Sequence, residues 1–173
     1  MKNNFYIVIL IAVCLLAFVA CNSPCKELER NKEVVRKAAA AVMAYDYEAL
    51  DQYMAEDYRR HCQATPDVQV TTLEEFKEFL IADRGVVSDP KIVIHRLVAE
   101  DDLVAFWGTY SGIQDGPMGP FPATGKRMEL DFAGMHRVAD GLVVESWFTW
   151  DNLTGLTQLG LFPPQPPEAT EKS

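Results

Sequence analysis

The fold is decided by residues 127–151, RMELDFAGMHRVADGLVVESWFTWD, whose pattern is that of two β-strands joined by one tight turn. Asp140 and Gly141 are the turn signal, because a two-residue type I′ turn needs positive φ at both central positions and an Asp-Gly pair tolerates it. The segment therefore predicts an antiparallel hairpin, and the turn fixes which residues of its two strands lie opposite each other.

This register predicts a face that mixes aromatic and titratable side chains. His136 lies directly opposite Glu145 in it, and directly opposed residues of an antiparallel pair share a face. The face carries Leu130, Phe132, His136, Glu145, Trp147, Thr149 and Asp151. Apolar walls around a few polar groups are typical of a ligand cavity. A half-solvated sheet face, on which Glu145 and Asp151 meet water, fits the same pattern.

Outside the hairpin, helical periodicity dominates the first half of the chain and strand patterns dominate the second. Thr71 and Thr72, followed by Glu74 and Glu75, predict two overlapping capping boxes for a helix that Gly85 ends. The other predicted elements are helices over residues 26–44 and 47–58 and strands over residues 91–98 and 103–112. Helices followed by an antiparallel meander predict an α+β domain with helices on one face of a curved sheet.

The N-terminus has the features of a bacterial lipoprotein signal peptide. Lys2 precedes an uninterrupted apolar run over residues 5–20, and polar residues follow immediately. Residues 18–21, FVAC, resemble a lipobox, although Phe18 stands where an aliphatic residue is usual. We therefore expect a lipid anchor on Cys21 at the bacterial cell envelope, with ordinary secretion as the alternative. The expected divisions are a signal peptide over residues 1–20, a tether over 21–30, one domain over 31–162 and a disordered Pro-rich tail over 163–173.

The composition excludes several classes of function. The chain has 173 residues, is 49% apolar and carries a formal net charge of −9, which suits one domain that repels nucleic acid. Loss of residues 1–20 removes one lysine among the charged residues and leaves 15 − 25 = −10. Apart from the expected anchor Cys21, Cys25 and Cys62 then remain, and they either pair or stay free. The three histidines have no metal-binding spacing and no cofactor fingerprint occurs, so we predict neither a metal nor a cofactor.

Three residues are candidates for acid–base chemistry or ligand contact, each with a structural alternative. Asp151 ends an aromatic strand, where burial would raise its pKa and make it a proton carrier; it could equally cap a following helix. His136 would form a pair with Glu145, either in a site or as a structural ion pair. His61, at the predicted end of the second helix, either overhangs the open end of the sheet or lies in solvent.

Several segments together resemble the SnoaL-like polyketide cyclase or ester cyclase family, within the superfamily named after nuclear transport factor two. The resemblance runs over residues 32–161, nearly the whole domain. Its most specific parts are Pro122, Thr124 and Gly125 in one turn, Arg137, Asp140 and Gly141 in the hairpin, Trp147 with Asp151, and the Gln158-Leu159-Gly160 segment. Ser146 is a departure, since many members have histidine there.

The resemblance implies a cone-shaped α+β barrel, with N-terminal helices packed on a curved, mainly antiparallel sheet around a deep apolar pocket. It favours the face with Trp147 and Asp151 as the inner wall. Asp151 matches the acid that, in cyclases of this family, closes a polyketide ring by an aldol step without metal or cofactor. His136 matches a pocket position that in some members helps to polarise the substrate carbonyl, and His61 matches the histidine that often ends the second helix.

The first functional hypothesis is therefore an envelope-anchored domain that binds a small apolar carbonyl compound and performs cofactor-free acid–base chemistry through Asp151 and His136. The expected pocket residues are His61, Phe132, Glu145, Trp147 and Thr149. The alternative is a ligand-binding or dimeric assembly module of the same fold without catalysis. We expect a homodimer through the opposite sheet face, which would expose Met135, Phe148 and Trp150 as one costly apolar patch.

Overall fold

The computed structural model describes residues 25–163, and it has the α+β architecture that the sequence predicts. Predictions for residues 1–20, for Cys21 and for the tail beyond residue 163 lie outside this range. Residues 25–30, expected in a tether, are already helical. Within residues 25–163, no helix is long and apolar enough to cross a lipid bilayer.

Three α-helices, a short 3₁₀ turn and five strands follow one another along the described residues. They are α1 (25–44), the 3₁₀ turn (Glu48–Gln52), β1 (Met54–Cys62), α2 (Leu73–Arg84), β2 (Val87–Glu100), β3 (Leu103–Gln114), β4 (Arg127–Ala139), β5 (Leu142–Trp150) and α3 (Asn152–Leu159).

The strands form one sheet in the order β1-β5-β4-β3-β2. β1 runs parallel to β5, and the other neighbouring pairs are antiparallel. α1 and α2 pack on one face of this sheet, called the inner face below, and the opposite face is called the outer face. The main inner-face core joins Val35 and Ala38 of α1, Phe76 of α2 and Val104 and Val143 of the sheet. A second cluster joins α3 to β4 through Leu159 and Leu130.

The predicted helix over residues 47–58 is wrong beyond its first turn. Leu50, Met54 and Tyr58 recur every four residues, a spacing that fits one face of a helix and also one face of a strand. The chain takes the strand from Met54 because β1 then forms a hydrogen-bonded ladder with β5 and buries Tyr58 fully against Phe76. Tertiary pairing therefore overrides the local helical pattern.

The capped helix is confirmed as α2. The side chain of Thr72 accepts a hydrogen bond from the Glu75 N–H, and Glu75 accepts one from the Thr71 N–H at 2.7 Å. Gly85 ends the helix, as predicted, and does so in a right-handed conformation with φ −73°. This end matters for the site below, because it fixes the last turn of α2 beside the sheet.

The hairpin turn is confirmed, but the register beyond it is wrong. Asp140 and Gly141 have φ of 52° and 79°, and Val138 still pairs with Val143. The next pair is Arg137 with Glu145, so Val144 is an extra residue in β5 and forms a β-bulge.

The bulge moves every later residue of β5 to the other face of the sheet. His136 therefore lies opposite Ser146 and not opposite Glu145. The inner face of β5 carries Ser146, Phe148 and Trp150. Glu145, Trp147 and Thr149, which we expected on that face, lie on the outer face.

Candidate functional site

A row of directly opposed polar residues crosses the inner face of the sheet. Arg60 of β1 pairs with Ser146 of β5, and Ser146 pairs with His136 of β4. Since paired residues share a face, their side chains converge between the two apolar clusters of the core. Tyr58 precedes Arg60 by two residues on β1 and so points to the same face.

His136 is a neutral imidazole in an aromatic setting. Its Nδ1 lies 2.7 Å from the Ser146 Oγ, and its ring stacks on Phe106 at 5.5 Å and meets Phe148 edge-on at 5.6 Å. Burial lowers the pKa of His136 to about 4, because a charged ring would lose its hydration here. The residue as a whole is only partly buried, and its Nε2 has no hydrogen-bond partner among residues 25–163.

Tyr58 places an unsatisfied hydroxyl beside this row. Its side chain is fully buried, and its oxygen has no hydrogen-bond partner of good geometry in the described part of the chain. Burial raises the pKa of the Tyr58 phenol, while the nearby hydroxyl of Ser146 and the charge of Arg60 act in the opposite direction. A buried hydroxyl without a partner is costly, by about 1–3 kcal/mol, which favours a partner that a ligand supplies.

Arg60 completes the row with a buried guanidinium. Its side chain is 7% exposed, and its Cζ lies 4.5 Å from the centre of the Phe79 ring and 5.8 Å from that of Phe148. Both terminal nitrogens donate to the Thr65 Oγ1 at 3.3 Å. Asp83 lies in the last turn of α2. Burial raises the pKa of its carboxyl group, and the positive charge of Arg60 offsets part of that rise. Asp83 also keeps exposed surface, so it lies at the rim of the interior.

Glu145 belongs to a different cluster on the outer face. Its carboxylate lies 2.8 Å from the His61 Nε2 and 3.3 Å from an Arg137 nitrogen. His61 stacks on Trp147 at 5.4 Å, and the Arg137 guanidinium lies over the same indole at 5.4 Å. The predicted pair of His136 with Glu145 is therefore wrong, and the histidine that Glu145 contacts is His61.

Asp151 is exposed and caps α3. Its Oδ1 accepts a hydrogen bond from the Leu153 N–H at 2.9 Å, and its Oδ2 accepts one from the Thr154 hydroxyl at 2.7 Å. The bonds from Thr154, and then the one from Leu153, hold the pKa of Asp151 below its ordinary value. The expected rise in its pKa is therefore wrong, and the capping alternative is confirmed.

The predicted site residues thus separate into two groups. Phe132 and His136 lie on the inner face, while His61, Glu145, Trp147 and Thr149 lie on the outer face. His61, Trp147 and Thr149, but not Glu145, border a groove of about 660 Å³. Residues of both faces line it: Arg60, His61, Cys62, Gln63, Pro66, Val68, Gln69, Ala105, Phe106, Ala133, Gly134, Met135, Trp147, Phe148 and Thr149.

Tyr58, Arg60 and Ser146 were not recognised as site residues from the sequence. The pattern of residues 54–58 predicts a helix where the structure has β1, and the predicted register lacks the bulge at Val144. The alternation of Tyr58 and Arg60 would have placed both on one face had a strand been assumed. Among residues 25–163, no group of three or more His, Cys, Asp or Glu side chains is arranged to hold a metal ion, and Cys25 and Cys62 are free thiols.

Comparison with known proteins agrees with this fold. A family model described as SnoaL-like polyketide cyclase matches residues 32–159. No curated protein gives a significant match. Among solved structures, IdmH from Streptomyces antibioticus, described as a proposed polyketide cyclase, is 26% identical; the match covers 76% of this chain and 99% of IdmH with a TM-score of 0.67.

Two more distant structures share the fold alone. A proposed SnoaL-like polyketide cyclase from Jannaschia sp. CCS1 is 20% identical, with a TM-score of 0.71 over 79% of this chain and 95% of that one. An epoxide hydrolase from M. tuberculosis, described as LEH-like, is 17% identical, with a TM-score of 0.63 over 77% of this chain and 91% of that one. One backbone architecture therefore accompanies two differently named activities, and the inner-face side chains have to decide between functions.

Proposed function

The chain belongs to the SnoaL-like polyketide cyclase family, with the α+β fold of the nuclear-transport-factor-two superfamily, and on that premise we propose that its interior binds a small, largely apolar carbonyl compound and acts on it through His136 without a cofactor. The observation that carries the proposal is the neutral imidazole of His136, held by Ser146 and flanked by Phe106 and Phe148, with its Nε2 free among the described residues.

The two tautomers of His136 give it two uses. When the Ser146 hydroxyl donates to Nδ1, the Nε2–H of the ring donates to a ligand carbonyl and polarises it. When Nδ1 carries the proton and donates to Ser146, Nε2 is an uncharged base that can take a proton from the carbon next to that carbonyl. The rings of Phe106 and Phe148 lower the polarity around the imidazole, which strengthens both interactions.

This proposal moves the proton-transfer role from Asp151 to His136. The two oxygens of Asp151 are already engaged by the first turn of α3, and the carboxylate is exposed. In contrast, His136 lies among aromatic rings on the inner face. We therefore propose that Asp151 acts as a cap and that the polar end of the ligand faces His136.

Two matched variants test the proposal. His136→Gln keeps a polar side chain of similar size but removes the titrating ring, whereas Asp151→Asn keeps a good helix cap and removes the charge. On a panel of polyketide esters, lactones and aromatic ketones, we expect His136→Gln to lower turnover by about 100-fold or more. Asp151→Asn should stay within about twofold of the wild type, because a cap does not contact the ligand.

The reverse result would refute the assignment. Turnover lost in Asp151→Asn but kept in His136→Gln would return the role to the carboxylate. Measurable binding without turnover in the wild-type protein would support the second candidate, a ligand-binding module. Circular dichroism of both variants shows whether each is folded before the kinetics are compared.

We also propose that the outer face mediates a homodimer, in agreement with the alternative of an assembly module. One apolar row runs across all five strands through directly opposed residues: Val98, Ala105, Met135, Trp147 and His61. Trp107 lies beside the row and is 49% exposed, and Val98 is 61% exposed. Phe148 and Trp150, which we expected in this patch, lie on the inner face because of the bulge.

The location of the protein is likewise a proposal that rests on its first 21 residues. We propose that Cys21 is lipidated and anchors the domain at the bacterial cell envelope, with secretion as the alternative. Metabolic labelling with palmitate in the native host should mark the wild-type protein and not Cys21→Ser. Label retained in the variant would contradict the anchor.

A further inference from the structure

The guanidinium of Arg60 is buried without a close counter-charge. It is 7% exposed, and no carboxylate of residues 25–163 lies within 4.0 Å of it. Its hydrogen bonds in this part of the chain go to one oxygen, the Thr65 Oγ1. Arg59, its neighbour on β1, is exposed. The chain therefore offers a buried and an exposed arginine side by side on opposite faces of one strand.

A buried cation in this position is unfavourable by itself. A guanidinium stays charged in proteins and has five N–H donors, and removing it from water is costly unless an anion compensates it. The rings of Phe79 and Phe148 offset part of that cost by cation–π attraction. Asp83 acts on Arg60 electrostatically, but from beyond ion-pair distance. Several donors of Arg60 thus stay without an acceptor among the described residues.

Tyr58 supplies an independent sign of a missing acceptor. Its buried hydroxyl has no partner of good geometry, and it lies next to Arg60 on the inner face of β1. Ser146, opposite Arg60, is also fully buried. Two neighbouring side chains therefore present unused donors to the interior, and an anionic oxygen is the group that satisfies both.

We propose that the ligand held at the row of Arg60, Ser146 and His136 on the inner face carries a carboxylate, which binds Arg60 and the Tyr58 hydroxyl while its carbonyl faces His136. This inference rests on the proposed function and adds the chemical class: an apolar keto acid in place of a neutral ketone or ester. Arg60 and His136 are two strands apart, a Cα separation of about 10 Å, so the acid and carbonyl groups lie at different ends of the molecule.

The test compares one acid with its uncharged ester. β-Benzoylpropionate is an aromatic ketone with a carboxylate at its far end, and its methyl ester has the same shape without the charge. Calorimetric titration at pH 7 should give wild-type protein an affinity at least about tenfold higher for the acid than for the ester. Arg60→Met, which fills a similar volume, should remove this preference and bind the two compounds equally. The matched control Arg59→Met removes the same charge from the outer face and should keep the preference.

The outcomes separate the inference from the proposed function. Equal affinity of the wild type for acid and ester, or a preference that survives in Arg60→Met, would overturn the carboxylate assignment and leave the proposed function standing. Failure of the wild type to bind either compound would overturn both. Should Arg60→Met not fold, Arg60→Lys keeps the charge but not the two-pronged geometry. It should then lower the preference several-fold, and an unchanged preference would contradict the role of the guanidinium.

Discussion

At the scale of single residues, the structure separates two acidic positions and two histidines that the sequence could not distinguish. Asp151 could be a proton carrier or a cap, and the first turn of α3 takes both of its oxygens. The sequence predicts a carboxylate partner for His136 alone, but in the structure Glu145 contacts His61 and His136 bonds the Ser146 hydroxyl. The partners of Asp151 are two and three residues away in sequence, whereas His61 and Glu145 are 84 residues apart and meet through the pairing of β1 with β5.

His136 makes the stability of the fold depend on pH. Its pKa is lowered from 6.5 to about 4 in the folded protein by burial, so between these values the unfolded chain binds the proton and the folded chain does not. Stability due to the neutral ring is complete above pH 6.5 and is lost as the pH falls towards 4. Each tenfold difference in proton affinity corresponds to about 1.4 kcal/mol.

We therefore expect denaturation curves of the wild type and His136→Gln to diverge between pH 7 and pH 4.5. The wild type should lose more of its free energy of unfolding than the variant, because the variant has no ring to protonate. The difference between the two proteins is the quantity to measure, since carboxylates change both curves in the same range. Parallel curves would show that His136 is not buried as a neutral ring.

At the scale of secondary-structure elements, what could be predicted follows from local chemistry. α1, the cap of α2 and the turn at Asp140 and Gly141 depend on residues close together in sequence, and the structure confirms all three. β1 could not be predicted, because its pattern fits a helix too and its strand state depends on pairing with β5, far along the chain. The bulge at Val144 has no local signal either.

For the site, the bulge at Val144 has a larger effect than the change of β1 from predicted helix to strand. Because side chains alternate along a strand, one extra residue exchanges the faces of all that follow. Because of the bulge, Ser146 contacts His136 on the inner face and Glu145 contacts His61 on the outer face. Of the predicted site residues, Phe132 and His136 lie on the inner face, and both belong to β4.

The packing of β4 against its neighbours gives a prediction at this scale. A Cβ at Gly134 would lie 2.5 Å from an atom of the Phe106 ring and 2.9 Å from one of the Phe148 ring. Both rings contact His136. Gly134→Ala should therefore displace them, lowering the free energy of unfolding by about 1–3 kcal/mol and weakening ligand binding.

Ala133→Ser is the matched control for this prediction. It also adds one heavy atom to β4, but on the outer face, where the groove leaves room. Its stability should stay within about 0.5 kcal/mol of the wild type. Urea denaturation of the two variants makes the comparison, and equal stability would mean that the rings yield without cost.

At the scale of the whole molecule, the two faces of one sheet differ in what packs against them. The inner face joins α1 and α2 to the sheet and holds the polar row between two apolar clusters. The outer face has the apolar row and the His61, Glu145 and Trp147 cluster, without a covering helix among residues 25–163. Exposed side chains of this size in one area are typical of an interaction surface.

The charge of the chain sets how a homodimer through this face should respond to salt. Two copies that each carry a net charge of −9 repel each other, whereas burial of Trp107 and Val98 attracts them and does not depend on ionic strength. Added salt screens the repulsion over about 8–10 Å at 0.1–0.15 M. The dimer should therefore become tighter as salt rises, opposite to an interface held by ion pairs.

Sedimentation velocity at micromolar concentration measures this directly. We expect the described domain to sediment as a dimer. Trp107→Glu should raise the dissociation constant of the dimer by at least about tenfold, because the interface would then bury a carboxylate without a partner. Ile81→Glu is the matched control: Ile81 is 58% exposed but lies on α2, away from the outer face. It should leave the dimer intact. A wild-type monomer, or a dimer that Trp107→Glu does not weaken, would rule out this face as the interface, and the apolar row would then require a different partner.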